Sequence, residues 1–202
     1  HSADLFVNEV KDGVYLFDQE EATIEFTGVA AQPVASLLRN FSAPVNLVFD
    51  YSDEDLAFLI QHETNGFNQW QATQTLLERI LLEDHKADIY IQAIKNTLPE
   101  LVNKDPLLAS RLFDVPSENY LGSRIDQDYE PELIREKREA VLDRLACDLG
   151  SFWKETYLSL DPDLQKEFSL AMGVRSLKNI TLNMLARLGD ESAFDLAFAQ
   201  FQ

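Results

Sequence analysis

A single cysteine, Cys147, is the whole thiol inventory, so no internal disulfide can form and folding does not rely on an oxidising compartment. The seven glycines are scattered and build neither a Gly-x-Gly-x-x-Gly turn nor a Walker loop, which removes the usual cradle for a nucleotide phosphate. Histidine is nearly as scarce: His1, His62 and His85. His62-Glu63 opens like the zinc-protease helix His-Glu-x-x-His, but Gly66 stands where the second imidazole belongs, and His85 is too far along the chain to replace it. Positive charge is also short. Seventeen lysines and arginines face 35 acids, a net charge of -18 that repels phosphate backbones and anionic headgroups alike. No nucleic-acid or membrane partner is therefore expected. No apolar run reaches the ~18 residues of a spanning helix, and nothing near the start resembles a signal peptide, so the expected location is cytoplasmic.

The acids themselves carry no metal pattern. Asp53, Glu54 and Asp55, and Asp126 with Asp128, lack the glycine and terminal glutamate of a calcium loop, and read as a helix start and a solvated connector. Cys147, among Leu145, Ala146 and Leu149, reads as a small buried hydrophobe rather than a nucleophile. Phe67 with Trp70, and Phe152 with Trp153, read as core aromatics rather than ligand platforms. No catalytic, cofactor-binding or metal residue is expected anywhere in the chain.

What the chain does have is two hydrophobic periods, which meet near Asn40-Phe41-Ser42-Ala43-Pro44-Val45. Before this seam apolar residues alternate, as in a strand; beyond Ser52 they recur every three or four, as in a helix. Strands are expected over 5–10, 14–17, 22–26 and 45–49, with a hairpin at Asp12-Gly13. So few strands leave a sheet face uncovered, which suggests part of an antiparallel β-sandwich in 1–50.

In 51–202 the start and stop signals predict helices only. Ser52 is the first N-cap and Asn65-Gly66 ends that helix; a second runs from Phe67 to about Glu83. A third spans 85–98, with Pro99 kinking it or starting another turn, and Asp105-Pro106 opens a short one. Glu118 to Gly122 is another short helix, and Pro131 opens a long one through Leu160 in which Gly150 allows a bend or close packing. Asp161-Pro162 starts a helix burying Leu164, Phe168, Ala171, Met172, Ile180, Met184, Leu185 and Leu188, which Gly189 caps. Asp190-Glu191 opens the last, whose apolar residues Phe194, Leu196, Ala197, Phe198 and Phe201 run to the final residues, as if the chain stopped inside an element. No fixed repeat period is present, so the fold class expected is mostly α: a partial β-sandwich, then an irregular, solenoid-like α-superhelix.

Phe41-Ser42-Ala43-Pro44-Val45, an acidic helix start, and Phe67-Asn68-Gln69-Trp70-Gln71-Ala72-Thr73-Gln74 follow in an order and spacing that resembles the C-terminal half of the bacterial aminopeptidase N family of zinc metallopeptidases. Gln69 and Gln71 replace the Arg and Glu usual there, and Arg175-Ser176-Leu177-Lys178-Asn179 resembles the family's Arg-x-Leu-Arg-Asn helix with Lys178 in place of an arginine. The resemblance implies a parent enzyme that removes amino-terminal residues from peptides with zinc held by His-Glu-x-x-His and a distal glutamate. It also implies Gly-Ala-Met-Glu-Asn for the free amine. None of these motifs lies in the 202 residues, so no catalytic, amine-binding or zinc role is carried over to any position. The resemblance thus implies an inactive piece whose partners are the catalytic and amino-terminal domains of its own parent, and whose helices cap the peptide chamber, with Phe41 packing between domains. The other reading is a free-standing helical module that binds a partner peptide on a concave face.

Overall fold

The computed structural model describes residues 10, 11, 14, 15, 18–24, 30–125, 130–161 and 167–201. By its contacts the chain divides into two compact units, His1–Ala35 and Ser36–Gln202.

In the first unit, β1 (Val10–Lys11) pairs antiparallel with β2 (Val14–Tyr15), Val10 opposite Tyr15 and Lys11 opposite Val14. The expected hairpin is present at these two pairs. Residues 22–24 form no strand, and the rest of that expected strand, 25 and 26, lies outside the described residues, as do 5–9, 16 and 17.

The second unit starts with an irregular segment. Leu38, Asn40 and Phe41 all take left-handed backbone angles, with φ of 53, 55 and 55°, around a 3-10 turn at Arg39–Phe41. The strand expected over 45–49 is absent: Val45 is at a bend, and 45–49 are exposed and belong to no strand. Strand-like composition needs a partner ladder to become a strand, and none of the described residues supplies one.

Helix α1 (Asp53–His62) begins where Ser52 predicts. The Ser52 Oγ accepts from the Asp55 amide at 3.0 Å and the Asp55 carboxylate accepts from the Ser52 amide at 3.1 Å, a reciprocal capping box that satisfies two otherwise orphaned donors. Helices α2 (Gly66–Leu82) and α3 (Ala87–Lys104) pack on it. Leu56 and Ile60 of α1, Leu76, Leu77 and Leu81 of α2, and Ile94 and Leu98 of α3 meet there, each under 2% exposed. Pro99 does not end α3. It lies on the exposed side, where the carbonyl deprived of its donor meets water.

Asp105 caps α4 (Pro106–Arg111) through a bond from the Leu108 amide at 2.9 Å, with proline at the first helical position. Helix α5 (Glu118–Gly122) follows; Asp126 and Asp128 lie outside the described residues. The single long helix expected from Pro131 is two: α6 (Pro131–Leu149) and α7 (Ser151–Ser159). Gly150 separates them at φ 35°, ψ -111°, a backbone shape that breaks the helix outright rather than bending it.

Helix α8 (Phe168–Arg187) presses on α4, and here glycine is required. A Cβ on Gly173 would stand 2.8 Å from the Leu107 nitrogen, so the two backbones touch. The Asp161-Pro162 start falls outside the described residues from Pro162 on, as does Leu164; within them α8 begins after Glu167. Ala171, Val174, Leu177, Thr181, Met184 and Leu185 form its inner face, whereas Phe168 and Met172, expected inside, are exposed at 77% and 43%, and Leu188 at 37%. Helix α9 (Ser192–Phe201) reverses its expectation more completely, with Ala193 its one buried residue and Phe194, Phe198 and Phe201 pointing outward.

Candidate functional site

The two stretches that stand out in the sequence, some 25 residues apart, meet in the structure. Residues 36–41 lie on the corner between α1 and α2, and each polar side chain at that corner reaches across. Asn68 donates through Nδ2 to the Leu37 carbonyl at 2.8 Å and to the Ser36 hydroxyl at 3.0 Å. Asn65 donates to the Asn40 Oδ1 at 2.8 Å while its own Oδ1 accepts from the Asn68 amide, so one residue caps α2 and ties down the segment.

Glu63 is the electrostatic centre of this clasp. Its side chain is 3% exposed, accepts from the Thr64 and Asn65 amides at 2.6 and 2.7 Å, and pairs with the Arg39 guanidinium at 3.1 Å. Burial raises its pKa, but hydrogen bonds from Ser36 and the two amides, with the charge of Arg39, outweigh that and hold the carboxyl below its ordinary value. The same guanidinium donates to the Thr64 hydroxyl at 2.6 Å. Residues in left-handed backbone other than glycine cost on the order of 1–3 kcal/mol each. This network is what stabilises three of them in four positions.

Aromatic rings continue the contact. Phe41 lies 4.5 Å from Phe67, ring centre to ring centre, and Phe67 lies 5.8 Å from Trp70. The ladder leads to a cavity of about 400 Å³ between the first turn of α2 and α4, floored by Leu107 and Leu108 and edged by the Arg111–Asp114 ion pair at 2.9 Å. The expectation that Phe67 and Trp70 are core aromatics is therefore corrected: Phe67 is 40% exposed and Trp70 half-buried, because the helix begins at Gly66 and its first turn opens onto this cavity. Phe41, at 71%, is exposed as well. Trp153, by contrast, is fully buried, against Phe113 and the half-buried Phe152.

Gln69, one of the two departures from the usual family text, sits inside. It donates to the Ile60 carbonyl at 2.6 Å, and Thr97 reaches the same oxygen at 3.3 Å, so a neutral amide satisfies an orphaned carbonyl in the last turn of α1.

The remaining candidates are dispersed. His62 is exposed and stacks on Phe58, 4.5 Å away. His85 meets Asp53 at 2.6 Å. Burial raises the pKa of Asp53, but its bonds from Arg79 and His85 prevail and the carboxyl lies below its ordinary value. Cys147 is exposed, against expectation, because the turn that directs Leu145, Ala146 and Leu149 inward carries 147 outward. His1 lies outside the described residues. Among the described residues no three His, Cys, Asp or Glu side chains are grouped so as to hold a metal ion. The residues of the clasp were not evident beforehand; the one signal was a pair of asparagines, Asn65 and Asn68, poor helix formers at a helix start.

A succession of helices, each packed on its neighbours, with a capped corner between α1 and α2, defines an irregular α-helical domain. Comparison with known proteins gives its relations: residues 53–202 match the family described as a domain of unknown function, DUF3458_C, ARM repeats, and residues 4–50 match DUF3458, Ig-like fold. The chain belongs to this family, within the aminopeptidase N group. It is 33% identical to aminopeptidase N of Escherichia coli (strain K12) over 185 residues, 83% of this chain and 20% of that protein. With aminopeptidase N of Caulobacter vibrioides the identity is 30% over 198 residues, 91% of this chain and 22% of the relative. The crystal structure of Legionella pneumophila aminopeptidase A in complex with aspartic acid superposes with a TM-score of 0.70 at 25% identity, covering 85% of this chain and 21% of that one. The chain thus spans about a fifth of the length of the proteins it matches.

Proposed function

We propose that this chain is a non-catalytic part of a zinc-dependent aminopeptidase N, which hydrolyses amino-terminal residues from peptides in the cytoplasm. Its helices cap the catalytic chamber and restrict access to it, residues 1–50 close a β-sandwich domain, and 51–202 begin the helical domain. Its partners are the catalytic and amino-terminal parts of the same protein, and peptides are substrates of the whole. The observation that carries this reading is the clasp: Phe41, Phe67 and Asn68, from the two stretches shared with the family, help to join 36–41 to the α1–α2 corner, a structural task. Zinc fits no group of described residues, so hydrolysis is assigned to none of them. Among the described residues no helix is long and apolar enough to cross a membrane.

A second reading is a free-standing helical-repeat interaction module. The outward phenylalanines of α9 favour it, since an apolar helix face is a usual peptide-binding surface. Assay of an aminoacyl chromogenic substrate separates enzyme part from missed enzyme. The 202-residue chain is expected to show no chelator-sensitive hydrolysis, whereas a longer protein containing it and the family's His-Glu-x-x-His does. Activity in the 202 residues alone, or none in the longer protein, would defeat the first reading.

A further inference from the structure

The third family-like stretch, Arg175-Ser176-Leu177-Lys178-Asn179 on α8, takes no part in the clasp. Three of its residues, Arg175, Lys178 and Asn179, instead line a cavity of about 580 Å³ between α7, α8 and α9. That volume is within the range of small-molecule sites, roughly 300–1,000 Å³.

Charge makes this cavity unusual in so acidic a chain. Arg39, Arg79, Arg111, Arg124, Arg138, Arg144 and Arg187 each pair with a carboxylate. Arg175 is exposed at the cavity and has no such pair among the described residues. Lys178, one helical turn on, is held in place with its ammonium 4.8 Å from the centre of the Tyr157 ring. Asn179 accepts from Gln200 through Oδ1 at 2.6 Å, which leaves its Nδ2 group to donate. Gln200 is itself fixed by the Tyr157 hydroxyl at 3.2 Å. Among the described lining residues there are two cations and one carboxylate, Asp161. Leu158, Leu160 and Ala199 complete the wall with apolar surface.

Guanidinium, ammonium and amide donors beside an apolar wall suit a carboxylate attached to an apolar body. We propose that this cavity binds the carboxyl-terminal residue of a peptide, its carboxylate on Arg175, Lys178 and Asn179 and its side chain against Leu158, Leu160 and Ala199. The inference stands on the cavity alone and does not require the peptidase reading.

The test is calorimetric titration of the full 202-residue chain with N-acetyl-Leu-Leu, with the same dipeptide amidated at its carboxyl end, and with inorganic phosphate. The acid should bind at least about tenfold more tightly than the amide, the low end of what a charge-assisted hydrogen bond contributes. Arg175→Gln should lose a similar factor, with an unchanged circular dichroism spectrum because the residue is exposed. Lys178→Gln should weaken binding too, and Arg135→Gln, at another exposed arginine on α6 with no carboxylate pair among the described residues, should not. Equal binding of acid and amide, no binding at millimolar peptide, or full affinity in Arg175→Gln would each overturn the proposal. Phosphate binding as tight as the peptide acid would also overturn it, marking the cavity as a general oxyanion site.

Discussion

Two parts of the helical unit are assembled by different forces. The α1–α3 block joins through aliphatic side chains under 2% exposed, and its buried polar residues, Gln69, Thr73 and Thr97, each bond to a backbone carbonyl. Helix α6 buries a narrower stripe, Ile134, Val141, Leu145, Ala146 and Leu149, and turns charged faces to its neighbours. Lys137 pairs with Asp84 between α2 and α3, Arg138 with Glu118 of α5, Arg144 with Asp88 of α3, and Glu139 and Asp143 both with Arg187 of α8. Burial is non-directional and scales with area, whereas ion pairs at half-exposed positions contribute little energy but fix which surfaces face each other. The comparison therefore assigns stability to the first block and relative placement of the helices to α6.

The sharpest test of that division is a cavity in the first block. Leu76 is wholly buried between α1, α2 and α3, so Leu76→Ala loses transfer energy and leaves a void. A loss of ~2–5 kcal/mol is expected from denaturant titration. A loss under ~1 kcal/mol would mean that the block relaxes around the void, and the assignment of stability to it would be wrong.

A second test addresses what joins the block to the later helices. In Gly173→Ala the new methyl meets the Leu107 backbone nitrogen at 2.8 Å and its Cβ at 3.0 Å, neither of which can rotate away. Overpacking of this kind costs about 1–3 kcal/mol. Gly66→Ala is the control: its methyl meets only the Leu108 side chain, nearest at 3.1 Å, and the tip of a leucine can shift. Gly66→Ala should thus cost much less in the same titration, and equal losses would show that the α4–α8 contact is looser than the backbone distance implies.

These contrasts explain why the sequence was legible in some places and not others. Capping signals are local, and Ser52, Asp105 with Pro106, and Pro131 all mark helix starts that the structure contains. Gly150 illustrates the limit: a glycine within an apolar period permits a bend or a break, and only packing decides. Which side of a helix is buried failed where neighbours were lacking. Phe194, Phe198 and Phe201 have the spacing of a core face, yet periodicity reports a face without saying what covers it. The clasp was hidden for a different reason. Its bonds join Ser36, Leu37, Arg39 and Asn40 to residues 25 to 32 positions later, and no local pattern specifies such pairs.

The smallest expected effect is the most direct probe of α6. Arg144 lies 2.7 Å from Asp88 and 3.0 Å from Asp148, with half of its side chain exposed. Arg144→Ala and Asp88→Ala, combined in a double-mutant cycle, should give a small favourable coupling at low salt. Raising the salt from about 0.01 M to about 1 M shortens the screening length from ~30 Å to ~3 Å and should remove most of that coupling. Total stability is a poorer readout, because screening also relieves the self-repulsion of a chain with net charge -18 and so pushes the other way. The coupling term cancels that global effect, whereas the Leu76→Ala loss should stay nearly constant across the same salt range. If the coupling survived high salt, or if the Leu76→Ala loss tracked it, the two parts would not be held by different forces.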